Sequence, residues 1–226
     1  MSAAAMASGI PGDGSFGTLL GSFNSRALAY VASEYLTAGD YVQAIDLAKR
    51  IADPYERAIA FIQIATKYAD SNQNPQAAKV LEEGLKAGKA VDAPLGKANS
   101  FAEVARVYTN LGKKRNAIKT LSQSLQAIDR ADNNDDKALL LLDIANQYVE
   151  LGDRVIANSL LQKIQDILLD QKIPSENRAG ELANVALIYS AMGDREQAMS
   201  IAKVLERQYD NRQLLSLLEC ASQTAP

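Results

Sequence analysis

The sequence predicts an all-α protein built as a solenoid of about five helical hairpins, and two observations support that prediction. One pattern of alanine, tyrosine, glycine and alanine is written five times along the 226 residues. The apolar residues around it recur at the three- and four-residue spacing of an amphipathic helix. Arrays of this kind usually hold other molecules rather than transform them.

The repeated pattern has fixed internal spacing. An alanine precedes the tyrosine by three residues, a glycine follows it by four, and a second alanine comes five residues later. One copy has asparagine in the glycine position. The five copies are Ala32-Tyr35-Gly39-Ala44, Ala65-Tyr68-Asn72-Ala77, Ala105-Tyr108-Gly112-Ala117, Ala145-Tyr148-Gly152-Ala157 and Ala186-Tyr189-Gly193-Ala198.

Each motif residue has a predicted role within a hairpin. Apolar residues four and seven before the tyrosine join the first alanine in one stripe on the first helix. The small alanines leave room for the second helix to approach, and the tyrosine fills the interior. The glycine suits the left-handed residue that ends a helix. We therefore predict that all five tyrosines are packing residues rather than a binding surface.

The hairpins divide the chain into successive segments. Residues 1–23 are rich in Ala, Gly and Ser and are predicted to be a flexible tail. The run from Met1 to Met6 leaves open that an added leader replaces a removed export signal. Proline and Asn/Asp clusters mark the later boundaries. The predicted repeat domain is 24–222, with repeats at about 24–55, 56–94, 95–134, 135–174 and 175–210 and a capping helix at 211–222.

Composition excludes several classes of function. The net charge of −3 argues against general nucleic-acid binding. The absence of histidine excludes histidine-based catalysis and histidine-containing zinc sites. A single cysteine, Cys220, permits no intramolecular disulfide, and no apolar run is long enough to span a membrane. We therefore predict no cofactor. The compartment stays open between the cytoplasm, which we favour, and an exported form.

The five motif copies together resemble the tetratricopeptide repeat (TPR) family over roughly residues 24–210. That family's helix pairs carry apolar, small, Tyr, Gly and Ala residues at these intervals. The resemblance implies a right-handed superhelix whose inner groove is lined by the first helix of each repeat. It also implies a role in protein–protein recognition, with a peptide or helix of a partner lying in that groove.

If first helices line the groove, the side chains between their core positions are the candidate contacts. We expect Arg106, Asn146 and Asn99 to orient a partner while aliphatic residues supply desolvation. The positions six before each tyrosine carry no cation, so a clamp for a partner's C-terminal carboxylate is absent. The alternative is that neighbouring repeats or the tail bury some of these residues. The predicted groove residues are Arg26, Ser33, Ile62, Thr66, Asn99, Arg106, Leu142 and Asn146.

Charge is unevenly distributed between repeats. Residues 95–131 contain seven basic and two acidic residues, whereas 132–210 contain eight basic and fourteen acidic residues. Lys113, Lys114 and Arg115 form a candidate basic patch that could attract an acidic partner or another copy of the chain. The alternative is a solvated turn. The acidic run Asp132–Asp136 has calcium-type ligands but lacks the glycine and glutamate of a calcium loop, so we interpret it as a turn.

The sequence thus predicts a non-catalytic scaffold that binds a protein or peptide, with no catalytic and no metal-binding residues. One alternative is a self-association module, in which an exposed repeat face or Cys220 joins two copies. A less favoured alternative is an all-α enzyme that uses carboxylates, for which the sequence offers no repeated acidic pair.

Overall fold

The computed structural model describes residues 15–131, 134–169 and 178–209, with side chains for 24–131, 136–169 and 178–207. Within these residues every regular element is an α-helix, which confirms the predicted all-α class. The described helices are α1 (Ser15–Thr37), α2 (Tyr41–Arg50), α3 (Pro54–Asp70), α4 (Asn74–Lys89), α5 (Pro94–Asn110), α6 (Lys114–Ile128), α7 (Asn134–Glu150), α8 (Arg154–Leu169), α9 (Arg178–Ala191) and α10 (Arg195–Tyr209).

These helices pack in consecutive pairs within two compact units, one ending at Val91 and the other beginning at Asp92. In the first unit α1 pairs with α2, α3 pairs with α4, and α3 also packs on both helices of the preceding pair. In the second unit the pairs are α5/α6, α7/α8 and α9/α10. Helices α5, α7 and α9 are neighbours there, so the first helices form one layer.

The N-terminal helix begins earlier than the sequence indicated. Helix α1 starts at Ser15, within the 1–23 segment that was predicted to be a tail. Residues 1–14, the capping helix predicted at 211–222 and Cys220 lie outside the described residues. The acidic run at 132–136 is described only in part.

The two alanines of each motif form the contact between paired helices. All five first-helix alanines and all five second-helix alanines are buried. At Gly84 of α4 the packing is tight, because an added Cβ would lie 3.1 Å from Ile62 Cγ1 and that side chain would have to shift by a few tenths of an ångström. The prediction that the motif alanines lie in the interior is confirmed.

The tyrosine and glycine of each motif meet in the turn that ends the first helix. In all five turns the residue at the glycine position has a positive φ, from 58° at Asn72 to 81° at Gly39. The next residue donates its N–H to the tyrosine carbonyl, as in Asp153 N to Tyr148 O at 2.8 Å. This is the Schellman arrangement, which satisfies carbonyls that the helix end leaves without partners. The predicted left-handed helix end is confirmed.

The same turn often starts the second helix. Asp40, Asp153 and Asp194 follow the glycine directly, and each carboxylate accepts the backbone N–H three residues later, at 3.1–3.3 Å. Such caps stabilise a helix by satisfying one of its free N–H groups and by placing negative charge at its positive end. The residues at the N-cap positions of α4 and α6 are Gln73 and Lys113, and neither side chain caps its helix.

The prediction that every motif tyrosine is interior is wrong for the first copy. Tyr148 and Tyr189 are fully buried, but 40% of Tyr35 is exposed, and so is 41% of Val31 four residues earlier. Tyr189, for example, accepts a hydrogen bond from Gln165 of α8, the second helix of the preceding pair, whereas no helix precedes α1 among the described residues. Tyr68 is half-buried and stacks on Tyr41 of the preceding pair, with ring centroids 4.2 Å apart.

Candidate partner-binding surface

A row of side chains lies on adjacent first helices of the second unit. Arg106, Asn146 and Leu187 each come two residues before a motif tyrosine, and all three are exposed. Because α5, α7 and α9 are neighbours, this position repeats across the layer. We call these three residues the first-helix row. Leu139 on α7 is exposed as well, by 47%, and Leu187 by 45%.

Arg106 is held in place by acids on two helices. Its Nη2 lies 2.6 Å from Asp143 Oδ1 on α7 and 3.4 Å from Glu103 Oε1 on α5. Burial alone would lower the pKa of Arg106, but Asp143 and Glu103 together raise it above its usual value. The guanidinium is therefore firmly charged and links α5 to α7.

The acids around Arg106 outnumber it. Burial raises the pKa of the Glu103 carboxyl, Asp143 adds to that increase, and Arg106 opposes it. Glu150 also acts on Arg106 electrostatically. The other oxygen of Asp143 accepts a hydrogen bond from Gln147 Nε2 at 3.0 Å. The surface around Arg106 thus has three carboxyl groups for one guanidinium.

Two of the predicted groove residues are core residues. Ile62 and Leu142, both six before a motif tyrosine, are buried. Ile62 faces its own second helix, as the contact with Gly84 shows. The prediction that this position is exposed is wrong, because the residue lies beside the core stripe and the close helix pairing covers it.

The remaining predicted groove residues make local contacts. Arg26 on α1 is exposed and pairs with Glu56 of α3 at 3.4 Å. Thr66 donates its hydroxyl to the Ile62 carbonyl one turn earlier, at 2.9 Å. Ser33 and Asn99 are half-buried, and Asn99 has a polar interaction of its own. Of the predicted groove residues in the second unit, Asn146 and Arg106 are therefore the exposed polar ones.

The candidate basic patch lies at the start of α6. Lys113 is the residue before the helix, Lys114 and Arg115 open it, and all three are exposed. None of them has an ion-pair partner among the described residues. Positive charge at the positive end of a helix is unfavourable, so this patch costs stability.

Sequence reasoning missed the acids that hold Arg106. Glu103 and Asp143 both lie five residues before a motif tyrosine, so a carboxylate recurs at one repeat position in two adjacent copies. That recurrence, together with the three-residue spacing from Glu103 to Arg106, could have identified them.

Comparison with solved structures agrees with the fold. The nearly identical TPR-like repeats of a candidate kinesin light chain from Podosopora anserina align at a TM-score of 0.59 and 18% identity, covering 88% of this chain and 97% of that one. BtubC (BKLC) from P. vanneervenii aligns at 0.55 and 17% identity, covering 88% and 81%. Ton1535 from Thermococcus onnurineus NA1 aligns at 0.62 and 14% identity, with 85% of this chain covering 56% of that one.

These likenesses define the fold class. No family model matches the sequence, and no curated protein matches it. The chain has a TPR-like helical repeat fold. Helical repeat proteins of this fold are typically used for protein interaction, and typically as non-catalytic scaffolds. Among the described helices, none is both long and apolar enough to cross a membrane.

Proposed function

We propose that the chain is a non-catalytic scaffold and that the first-helix layer of its second unit binds a segment of a protein partner. The observation that carries the proposal is the first-helix row, in which one repeat position is exposed on three neighbouring helices. A surface that repeats in this way suits a partner that is itself extended or helical.

The chemistry of this layer indicates what kind of segment fits. Leu139 and Leu187 are large apolar side chains left in water, and they gain most from being covered. The acids near Arg106 favour a positively charged group. The segment we propose is therefore an amphipathic peptide with apolar side chains and at least one Lys or Arg. A carboxylate clamp is not part of this proposal, since none of the positions six before the tyrosine carries a cation.

The test is selection of peptides from a random display library, followed by calorimetry with the best binder. We expect Leu187→Asp to weaken binding of that peptide by tenfold or more, roughly the loss of one buried leucine contact. The matched control is Val155→Asp on α8, whose side chain is 82% exposed on a second helix. Equal weakening by both variants, or by neither, would contradict the proposal.

Self-association is a second candidate, and one observation favours it. Tyr30, Val31, Tyr35 and Val42 are four large apolar side chains exposed at the start of the first unit. Exposed apolar patches often mark interfaces. Light scattering over a concentration series tests this candidate. Association that Val31→Glu abolishes would support it, and a monomer at every concentration would exclude it.

A further inference from the structure

A pocket in the first unit has no role in the proposed function. It has a volume of about 300 Å³ and lies among the last turn of α2, the first turns of α3 and the C-terminal half of α4. That volume is at the lower end of the range for small-molecule sites. Phe61 and Ala87 supply apolar wall, and Lys49, Arg57 and Lys86 surround it. We call this the Arg57 pocket.

The charge in this pocket is not neutralised. Its three cations come from three different helices, and the lining contains a single acid, Glu83. The ion pairs of the described residues include none of these four side chains. Glu56, adjacent to Arg57 in the chain, pairs with Arg26 instead. Bringing like charges together is unfavourable unless a counter-charge joins them, so the pocket favours an anion.

Arg57 is positioned to receive that anion. Its Nη1 donates a hydrogen bond to the Ile51 carbonyl at 2.9 Å, which fixes the half-buried side chain against the end of α2. The guanidinium keeps further N–H donors for a ligand. A fixed arginine loses little freedom on binding, and its planar donors match a carboxylate. Lys49 and Lys86 lie in the last turns of their helices, where helix dipoles favour cations. Arg57 lies near the start of α3 and has no such support.

The second unit contains a related pocket of about 220 Å³ that serves as an internal comparison. Lys97, Phe101 and Ala127 stand forty residues after Arg57, Phe61 and Ala87 and line it in the same way. Its lining has two cations, Lys97 and Arg130, and one acid, Asp92, because Gln126 stands where the first pocket has Lys86. The repeat therefore provides the cavity, and the Arg57 pocket alone of these two has three cations.

We propose that the Arg57 pocket binds a small organic carboxylate, with Arg57 and Lys86 contacting the carboxylate and Phe61 and Ala87 contacting its apolar part. The apolar wall distinguishes this ligand class from a bare inorganic anion. The carboxylate can belong to a free acid or to the glutamate side chain of a partner. The proposal does not depend on the first-helix row, which lies in the other unit.

The test is titration of the isotope-labelled protein with hexanoate, hexanamide, inorganic phosphate and a capped alanine peptide containing one glutamate, followed by amide NMR. We expect saturable shifts at Phe61 and Ala87 with hexanoate, with the glutamate peptide, or with both. Saturation by hexanoate identifies a free acid as sufficient, and saturation by the peptide alone assigns the carboxylate to a partner. Hexanamide and phosphate should not saturate the site. The proposal would be overturned if hexanamide or phosphate bound as tightly as the carboxylate probes, or if none of the probes saturated the site.

Variants locate the site. Arg57→Gln and Lys86→Gln should each lower the affinity for the saturating probe by about tenfold, as expected for loss of a charge-assisted contact. Lys86 makes no hydrogen bond with any of the described residues, so its variant remains informative if Arg57→Gln perturbs the fold. Lys97→Gln, in the comparison pocket, is the matched control and should leave affinity unchanged. Equal loss in Lys97→Gln, or undiminished binding in Lys86→Gln, would refute the assignment. Leu187→Asp should bind the probe normally, so this proposal can fail independently of the proposed function.

Discussion

At the scale of single residues, the motif consists of parts with separate physical roles. The tyrosine carbonyl accepts the hydrogen bond that closes the turn, while its ring packs in the interior of the later repeats. The glycine takes a positive φ that side chains rarely adopt. Both roles follow from local chemistry, which is why the sequence alone predicts them.

Substitution of the turn glycines should destabilise the protein although the space beside them is empty. We expect Gly152→Ala to lower the free energy of unfolding by about 1–2 kcal/mol, because a Cβ disfavours the left-handed backbone. Gly180 is also free of neighbours within 4 Å but lies inside α9. Gly180→Ala should raise stability by about 0.5–1 kcal/mol. Urea denaturation measures the free energy of unfolding of both variants. Equal changes in the two would contradict the role assigned to the turn glycine.

The buried tyrosines should make stability fall at high pH. Burial raises the pKa of Tyr148, with Ser122 opposing, and burial likewise raises the pKa of Tyr189, whose hydroxyl accepts a hydrogen bond from Gln165 at 3.0 Å. A raised folded-state pKa contributes stability below the unfolded pKa of about 10, and that stability is lost as pH rises toward the folded value. Urea midpoints between neutral and alkaline pH measure this loss. Tyr189→Phe should lose less stability over the range than the parent protein, and an identical slope would contradict the account.

At the scale of elements, a helix depends on its cap and on the helices that cover it. Sequence patterns identify helices α2 to α10 because apolar periodicity and turn residues are local signals. Burial between helices is harder to predict. The sequence predicts Ile62 as a surface residue, but α4 covers it. The sequence predicts Tyr35 as interior, but 40% of it is exposed because no described helix precedes α1.

Helix α6 should gain stability from an acidic cap. Lys113 has φ of −87° and ψ of 57°, close to the −87° and 78° of Asp40, which caps α2. Lys113→Asp should therefore raise stability by about 1 kcal/mol, because the new carboxylate would accept a hydrogen bond from the Asn116 N–H and place a favourable charge at the helix start. Lys113→Ala is the control for charge removal alone. Thermal melting that ranks the alanine variant at or above the aspartate variant would argue against the cap.

The uncovered face of α1 should tolerate shorter side chains. Val31 and Val104 both lie four residues before a motif tyrosine, but Val31 is 41% exposed and Val104 is fully buried. Val104→Ala should cost roughly 2 kcal/mol from two lost methyl groups and the space they leave. Val31→Ala should cost less than half of that. Equal losses in denaturant titrations would show that α1 is covered in solution.

At the scale of the whole molecule, the motif residues of a TPR-like repeat array determine the fold, and the residues between them determine the partner. The motif could be read from sequence because it is repeated, whereas the pairing of Arg106 with Asp143 depends on the spacing of neighbouring helices. Polar candidates such as Asn146 are exposed as predicted. The apolar residues Leu139 and Leu187 belong to the candidate surface because the structure leaves both exposed.

The central claim is that the first-helix layer of the second unit is the partner-binding surface. The most direct measurement is amide NMR of the full chain during titration with a selected amphipathic peptide. We predict that the largest shifts fall on Leu139, Asn146 and Leu187, along α7 and α9. Shifts confined to second helices, for example around Val155 on α8, would contradict the claim.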